Sequence, residues 1–179
     1  KFYLEDIMKK KTAIMLSTAV ITTLLSFNTP VQAASDPEIL ATEYNMDVRL
    51  NPHKNQLTEK VTMHVVNNGK QTVKNLLVRN MAHSVLSYDH HFKATKNAKT
   101  TIKSISTDGK KLSYTTGKDK SNLFVNKTLA AGESTNLTVN VITDVPKRAD
   151  CFGYQAINHG KVYNLSFCFP YLSDYRDDK

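Results

Sequence analysis

The sequence predicts an all-β fold, an antiparallel sandwich or a saddle-shaped pair of sheets, preceded by a helical signal peptide. Three observations predict it. Apolar and polar residues alternate with period two in short runs between Glu43 and Val145, and Gly-, Asn- and Pro-bearing turns separate those runs. The composition beyond the leader is strand-like, rich in Thr, Val, Asn and Ser, with eight Tyr, seven Phe and no Trp in the chain. Helical periodicity is sustained only in the apolar leader.

The leader comes first. Met8 is the first plausible start, which places residues 1–7 upstream of it. Lys9-Lys10-Lys11 form a basic n-region, and Thr12 to Phe27 form an apolar stretch diluted by Ser17, Thr18, Thr22 and Thr23. Val31-Gln32-Ala33 satisfies the small-residue rule, so cleavage is expected between Ala33 and Ala34. A retained anchor is the alternative, but a span needs about 20 apolar residues and this stretch is shorter. Pro30 also favours cleavage, and no cysteine stands nearby to carry a lipid. Signal peptide 8–33, a short leader 34–41 and a β domain 42–179 are therefore expected, with secretion or surface display on a bacterial cell. The polar end, Ser173 to Lys179, carries no closing signal, so further sequence after Lys179 is expected.

The first strand sets Tyr44, Met46, Val48 and Leu50 on one face and Glu43, Asn45, Asp47 and Arg49 on the other. Asn51-Pro52-His53-Lys54-Asn55 reads as a turn. Leu57 to Asn67 is the second strand, with Val61, Met63 and Val65 inward and Thr62 and His64 outward. Asn67-Asn68-Gly69 closes it with residues that tolerate positive φ. Further strands are expected at Val73 to Arg79, Ser84 to His90, Thr101 to Thr107, Lys111 to Thr115 after the turn Asp108-Gly109, Asn122 to Asn126, Ser134 to Thr143, and Val162 to Phe169. Leu76-Leu77-Val78 and Leu123-Phe124-Val125 read as runs buried on both faces.

Charge and cysteine content narrow the function. Residues 34–179 hold 20 Lys and Arg against 14 Asp and Glu, a balance that suits an anionic partner. The arginines, however, are only Arg49, Arg79, Arg148 and Arg176, and no aromatic-plus-arginine stacking platform accompanies them. Nucleic acid is not expected as a partner. Cys151 and Cys168 form the only candidate disulfide, which export permits; the other reading is a pair of free thiols acting as small hydrophobes.

No residue set carries chemistry. The histidines are His53, His64, His83, His90, His91 and His159. The adjacent pair His90-His91 would point to opposite faces of a strand, and no H-E-x-x-H helix motif occurs. Cys151 and Cys168 belong to no C-x-x-C pair. Nucleophile elbows, phosphate loops and dinucleotide fingerprints are absent from the sequence. Carboxylates are scattered singly, so no glycosidase pair stands out. The three N-x-S/T matches, at Asn126, Asn136 and Asn164, are what a Thr- and Asn-rich chain produces by chance. No catalytic, cofactor-binding or metal residue is assigned.

The order of the strand phrases resembles a known family. Glu43-Tyr44-Asn45-Met46-Asp47-Val48-Arg49-Leu50-Asn51-Pro52, followed by Leu57 to Asn67, is similar to the opening of the gluzincin zinc aminopeptidases, which include aminopeptidase N and leukotriene hydrolase. Ile105 to Tyr114 around Asp108-Gly109-Lys110, then Leu123-Phe124-Val125 ahead of Leu129-Ala130-Ala131-Gly132-Glu133-Ser134, resemble the phrases that follow in that family. Tyr163 to Tyr171 with Pro170 resembles the aromatic-proline phrase leading to its catalytic domain. The likeness spans 43 to 173. Two departures stand out: Glu59 where many relatives have glycine, and Phe167-Cys168-Phe169-Pro170 where the phrase usually contains tryptophan.

The resemblance implies a non-catalytic N-terminal domain. The H-E-x-x-H helix, its later glutamate and the G-x-M-E-N loop would belong to the catalytic domain that follows. There, zinc-activated water would cleave the first peptide bond of peptide substrates with a glutamate as base. It implies zinc in the parent enzyme and no cofactor in this stretch. The partner would be the catalytic domain of the same chain, with Tyr171, Asp174 and Tyr175 as candidate cleft-facing residues. An immunoglobulin-like binding module of a secreted or wall-associated protein is the alternative.

Overall fold

In the first hairpin of the computed structural model, β1 (Ile39–Asn51) and β2 (Gln56–Asn67) run antiparallel, with Met46 opposite Val61 and Leu50 opposite Leu57. The structure describes residues 39–88, 98–118, 120–148 and 151–173, all within one compact unit, Asp36–Lys179. The signal segment, Ala33, Ala34, His90, His91, Asp174 and Tyr175 lie outside the described residues. The β1–β2 turn forms as composition predicts. The Asn51 Oδ1 accepts the N–H groups of His53 and Lys54 at 3.1 Å each, and Asn55 adopts φ 49°, a left-handed conformation that asparagine tolerates.

The chain continues through β3 (Val73–Arg79), α1 (Met81–Tyr88), β4 (Thr100–Thr107), β5 (Lys110–Lys111), β6 (Tyr114–Thr116), β7 (Asn122–Leu129), β8 (Ser134–Asp144), β9 (Phe152–Ile157), β10 (Gly160–Leu165) and β11 (Tyr171–Leu172). Among the described residues three sheets result, all antiparallel: β1-β2-β8-β4-β5, β11-β3-β7-β6 and the hairpin β10-β9. The all-β prediction holds. Asp108 (φ 48°) and Gly109 (φ 77°) close the two-residue β4–β5 turn, the pair of positive φ values that type I′ hairpins require.

The two larger sheets share one core. Val61, Met63 and Val65 of β2, with Leu137, Val139 and Val141 of β8, pack with Leu76 and Val78 of β3 and Leu123, Val125 and Leu129 of β7. The period-two pattern therefore does what it predicts on β2 and β8, burying every second side chain. A smaller cluster lies beside it, made of Leu57, Leu86, Val145, Phe152 and Cys168.

Four expectations change. The strand expected over Ser84 to His90 is replaced, as far as Tyr88, by a helix: α1 covers Met81–Tyr88. Asn80 caps it, its Oδ1 accepting the His83 N–H at 3.3 Å, and Ala82, Val85 and Leu86 bury one side at helical spacing. Lys111 to Thr115 divides into β5 and β6, which belong to different sheets. Val162 to Phe169 divides as well: β10 pairs with β9, and β11 pairs with β3. Finally, Leu77 and Phe124 are half-buried rather than buried. They face each other across β3 and β7 on the outer side of the smaller sheet.

The β2–β3 turn is closed by hydrogen bonds, without a positive φ at Asn67, Asn68 or Gly69. Asn67 is fully buried. Its Nδ2 donates to the carbonyls of Gln71, Leu129 and Ala130 at 2.8–3.1 Å, and its Oδ1 accepts the Gly69 N–H at 3.0 Å. Its backbone is bonded to Gly132 and Glu133. One side chain thus ties the β2–β3 turn to the β7–β8 turn.

Candidate functional site

The inner face of β1 is where the fold leaves something undone. Tyr44, Met46, Val48 and Leu50 stand directly opposite Met63, Val61, Glu59 and Leu57, so they extend the core face of β2 outward. Yet they are 36–45% exposed. From β1 only Ile39 joins the buried core, with Ala41 packed against it. The alternation in the sequence is real, but the strand is at the sheet edge and its apolar row is not covered.

Beside this row, Glu59 points inward. It is 1% exposed, on a face otherwise lined by Leu57, Val61 and Met63. The Thr143 hydroxyl donates to its Oε2 at 3.4 Å, the Cys168 thiol bonds the same carboxyl, and Oε1 has no partner among the described residues. Burial disfavours the carboxylate and pushes its pKa up to about 7 against the hydrogen bonds from Cys168 and Thr143. The Cys168 thiol is pushed up to about 11, by burial first and then by the Glu59 charge. Both groups therefore prefer to be neutral.

Cys168 reaches Glu59 because Phe167 takes φ 58°, an uncommon conformation for a bulky residue. The chain then returns to the smaller sheet, where Tyr171 pairs with Arg79 and Leu172 with Val78. The Leu172 N–H donates to the Tyr44 hydroxyl at 3.1 Å. Burial raises the Tyr44 pKa, partly offset by that bond, and the neighbouring Tyr171 adds to the rise. Tyr44, Glu59, Cys168, Tyr171 and Leu172 thus meet along one seam between the sheets. The β9–β10 hairpin is tied to the β1–β2 turn: Lys161 Nζ donates to Pro52 O at 2.9 Å and Asn55 Oδ1 at 2.7 Å, and the Tyr163 hydroxyl donates to Asn55 Oδ1 at 2.8 Å.

Of the sequence-predicted residues, Tyr171 lies at this seam, while Asp174 and Tyr175 are outside the described residues. Cys151 and Cys168 are free thiols, the first exposed and the second buried. Their backbones run close, with the Ser166 N–H on the Cys151 carbonyl at 3.0 Å, but the Cys168 side chain is turned inward to Glu59. His64, read as solvated, is bonded to the Asn136 amide at 2.9 Å on the outer face. Sequence reading missed the inward Glu59, whose place between Leu57 and Val61 in an alternating strand was the available signal.

The donor chemistry does not suit zinc. Among the described residues no three His, Cys, Asp or Glu side chains gather, and the Glu59–Cys168 pair supplies only two. No step of a zinc reaction is assigned to these residues.

No family model matches the chain, and no curated protein matches it. Among solved structures, it is similar to a variant of an M1 zinc metallopeptidase from Deinococcus radiodurans, solved with a Tyr-Ser-Ala substrate. The identity is 12% and the TM-score 0.43, over 63% of this chain and 22% of that one. The chain thus spans less than a quarter of the length of that metallopeptidase.

Proposed function

We propose that the chain is the non-catalytic N-terminal β domain of an exported zinc aminopeptidase. Its role is to pack on a catalytic domain and help wall the cleft that receives peptide N-termini. The observation carrying this reading is the fit of the family-like phrases to the fold, in order. The first phrase occupies β1 and ends at the Asn51–Pro52 turn, and the second occupies β2. The Asp108-Gly109 phrase is the β4–β5 turn. The Leu129 to Ser134 phrase is the β7–β8 connection, where Gly132 takes φ 74°. The aromatic-proline phrase ends on β11, beside Tyr44. On this reading the seam that carries Tyr171 faces the cleft, and zinc, its base and the scissile bond belong to the catalytic domain.

The coding sequence beyond Lys179 tests the parent: an H-E-x-x-H helix motif and a later glutamate are expected, and their absence overturns the peptidase reading. The purified chain, assayed on aminoacyl-nitroanilides with and without zinc, is expected to be inactive. Metal-dependent turnover would contradict the non-catalytic role.

A further inference from the structure

The edges of the two larger sheets are unequal. β5 ends one sheet with two residues, both lysine. β6 and β11 end the other with three and two residues. Short edges and edge lysines are how proteins block the addition of a foreign strand. β1 has neither protection. It runs thirteen residues with β2 on one side and, among the described residues, no strand on the other, and it contains no lysine or proline. Its one irregularity, between Ala41 and Glu43, leaves 43–51 in regular register. That whole stretch is exposed, and its inner row is Tyr44, Met46, Val48 and Leu50.

We infer that this edge is a self-association interface: β1 pairs antiparallel with β1 of a second copy, joining two five-stranded sheets into one. The charges select the register. A two-fold axis through Asn45 would set Glu43 against Asp47. An axis through Asp47 or Arg49 would set a charge against itself, which is unfavourable for directly opposed residues. An axis through Val48 would set Asp47 against Arg49, but these already pair within one chain at 2.9 Å, and Glu43 would fall opposite the turn residue His53.

An axis through Met46 opposes no like charges and gives Glu43 a cationic partner, while Arg49 keeps Asp47 of its own chain alongside. Glu43, which has no ion pair among the described residues, then meets Arg49 of the second copy on both sides of the axis. Asn45 meets Asp47, and on the inner face Tyr44 meets Val48, an aromatic–β-branched pair of the favoured kind. The strand's free N–H and C=O groups gain partners, and two apolar rows become one. This interface is argued from the strand edge and its charges and does not rest on the peptidase reading, although Tyr44 belongs both to the inner row and to the seam.

Light scattering or sedimentation of the full chain tests it. A concentration-dependent species at twice the 20.1 kDa monomer mass is expected. Glu43→Arg alone and Arg49→Glu alone are each expected to be monomeric. The double variant, and an equimolar mixture of the two single variants, are expected to dimerise again, because each restores opposite charges across the axis. Recovery of association in the mixture also shows that both single variants fold. A chain that stays monomeric up to its solubility limit overturns the inference. So does association that ignores the single substitutions, or a mixture that stays monomeric.

Discussion

Replacing Glu59 with glutamine should make the protein more stable at pH 8 and leave it nearly unchanged at pH 5. Glu59 is buried between Leu57 and Val61 with one carboxyl oxygen unpartnered among the described residues, and burial moves its pKa from 4.5 up to about 7. The folded state therefore holds the proton more tightly than the unfolded chain. Its contribution to stability is complete below about 4.5 and is lost as pH rises through 7. At about 1.4 kcal/mol per pH unit, the loss across that window is about 3 kcal/mol. That is a sizeable share of the roughly 5–15 kcal/mol that holds a domain together.

Glutamine has the shape of the protonated acid and does not ionise, so its variant should not share the loss. The assay is urea denaturation of both proteins at pH 5 and pH 8. The histidines are common to both, so the difference between them isolates residue 59. The native midpoint should fall behind that of the variant at pH 8 by about 1 to 2 M urea, with a slope typical of a small domain. If the difference between the two proteins is the same at both pH values, Glu59 is not held as a buried acid and the reasoning fails.

Four further substitutions, at three positions, test the scaffold. Asn67→Ala should cost about 1–3 kcal/mol by leaving the Leu129 carbonyl and its neighbours without a donor. Asn67→Asp should cost more, because it turns a carboxylate toward those oxygens; thermal melts that rank the two the other way would reject the hub. Gly153→Ala should destabilise by about 1–3 kcal/mol, since a Cβ there would lie 2.8 Å from the Arg148 carbonyl and 2.9 Å from that of Pro146; an unchanged melting temperature would count against this packing. Tyr44→Phe removes the acceptor of the Leu172 N–H and should cost about 1 kcal/mol. Amide exchange should show it as faster exchange at Leu172, and unchanged protection there would mean that the bond does not hold β11.

What the sequence showed of the fold depended on whether a pattern was local. The β1–β2 hairpin was legible because alternation, a turn rich in Asn and Pro, and a second alternating run lie next to each other. α1 was misread because Ser84 to His90 contains apolar residues that fit either period over so few positions. The Asn80 cap and the 82, 85, 86 spacing resolve it only when they are considered together. The division of Lys111 to Thr115 between two sheets has no local signal. β5 is short because the Asp108-Gly109 turn returns the chain for only two pairs, and Tyr114 then crosses to pair with Val125. Most of all, alternation identifies an apolar face but cannot tell whether another sheet lies over it. Tyr44, Met46, Val48 and Leu50 follow the same pattern as Val61, Met63 and Val65, and only the second set is buried.

The same limit explains why the seam was hidden. Glu59 and Cys168 lie far apart along the chain. Read separately, each looks like an isolated exception, a carboxylate in an apolar row and a cysteine among aromatics. In the fold they touch. A carboxyl is buried on an apolar face, and the segment beside it presents a small thiol that can donate a hydrogen bond. The two residues are therefore better understood as one pair, in which a polar contact closes the seam beside β1.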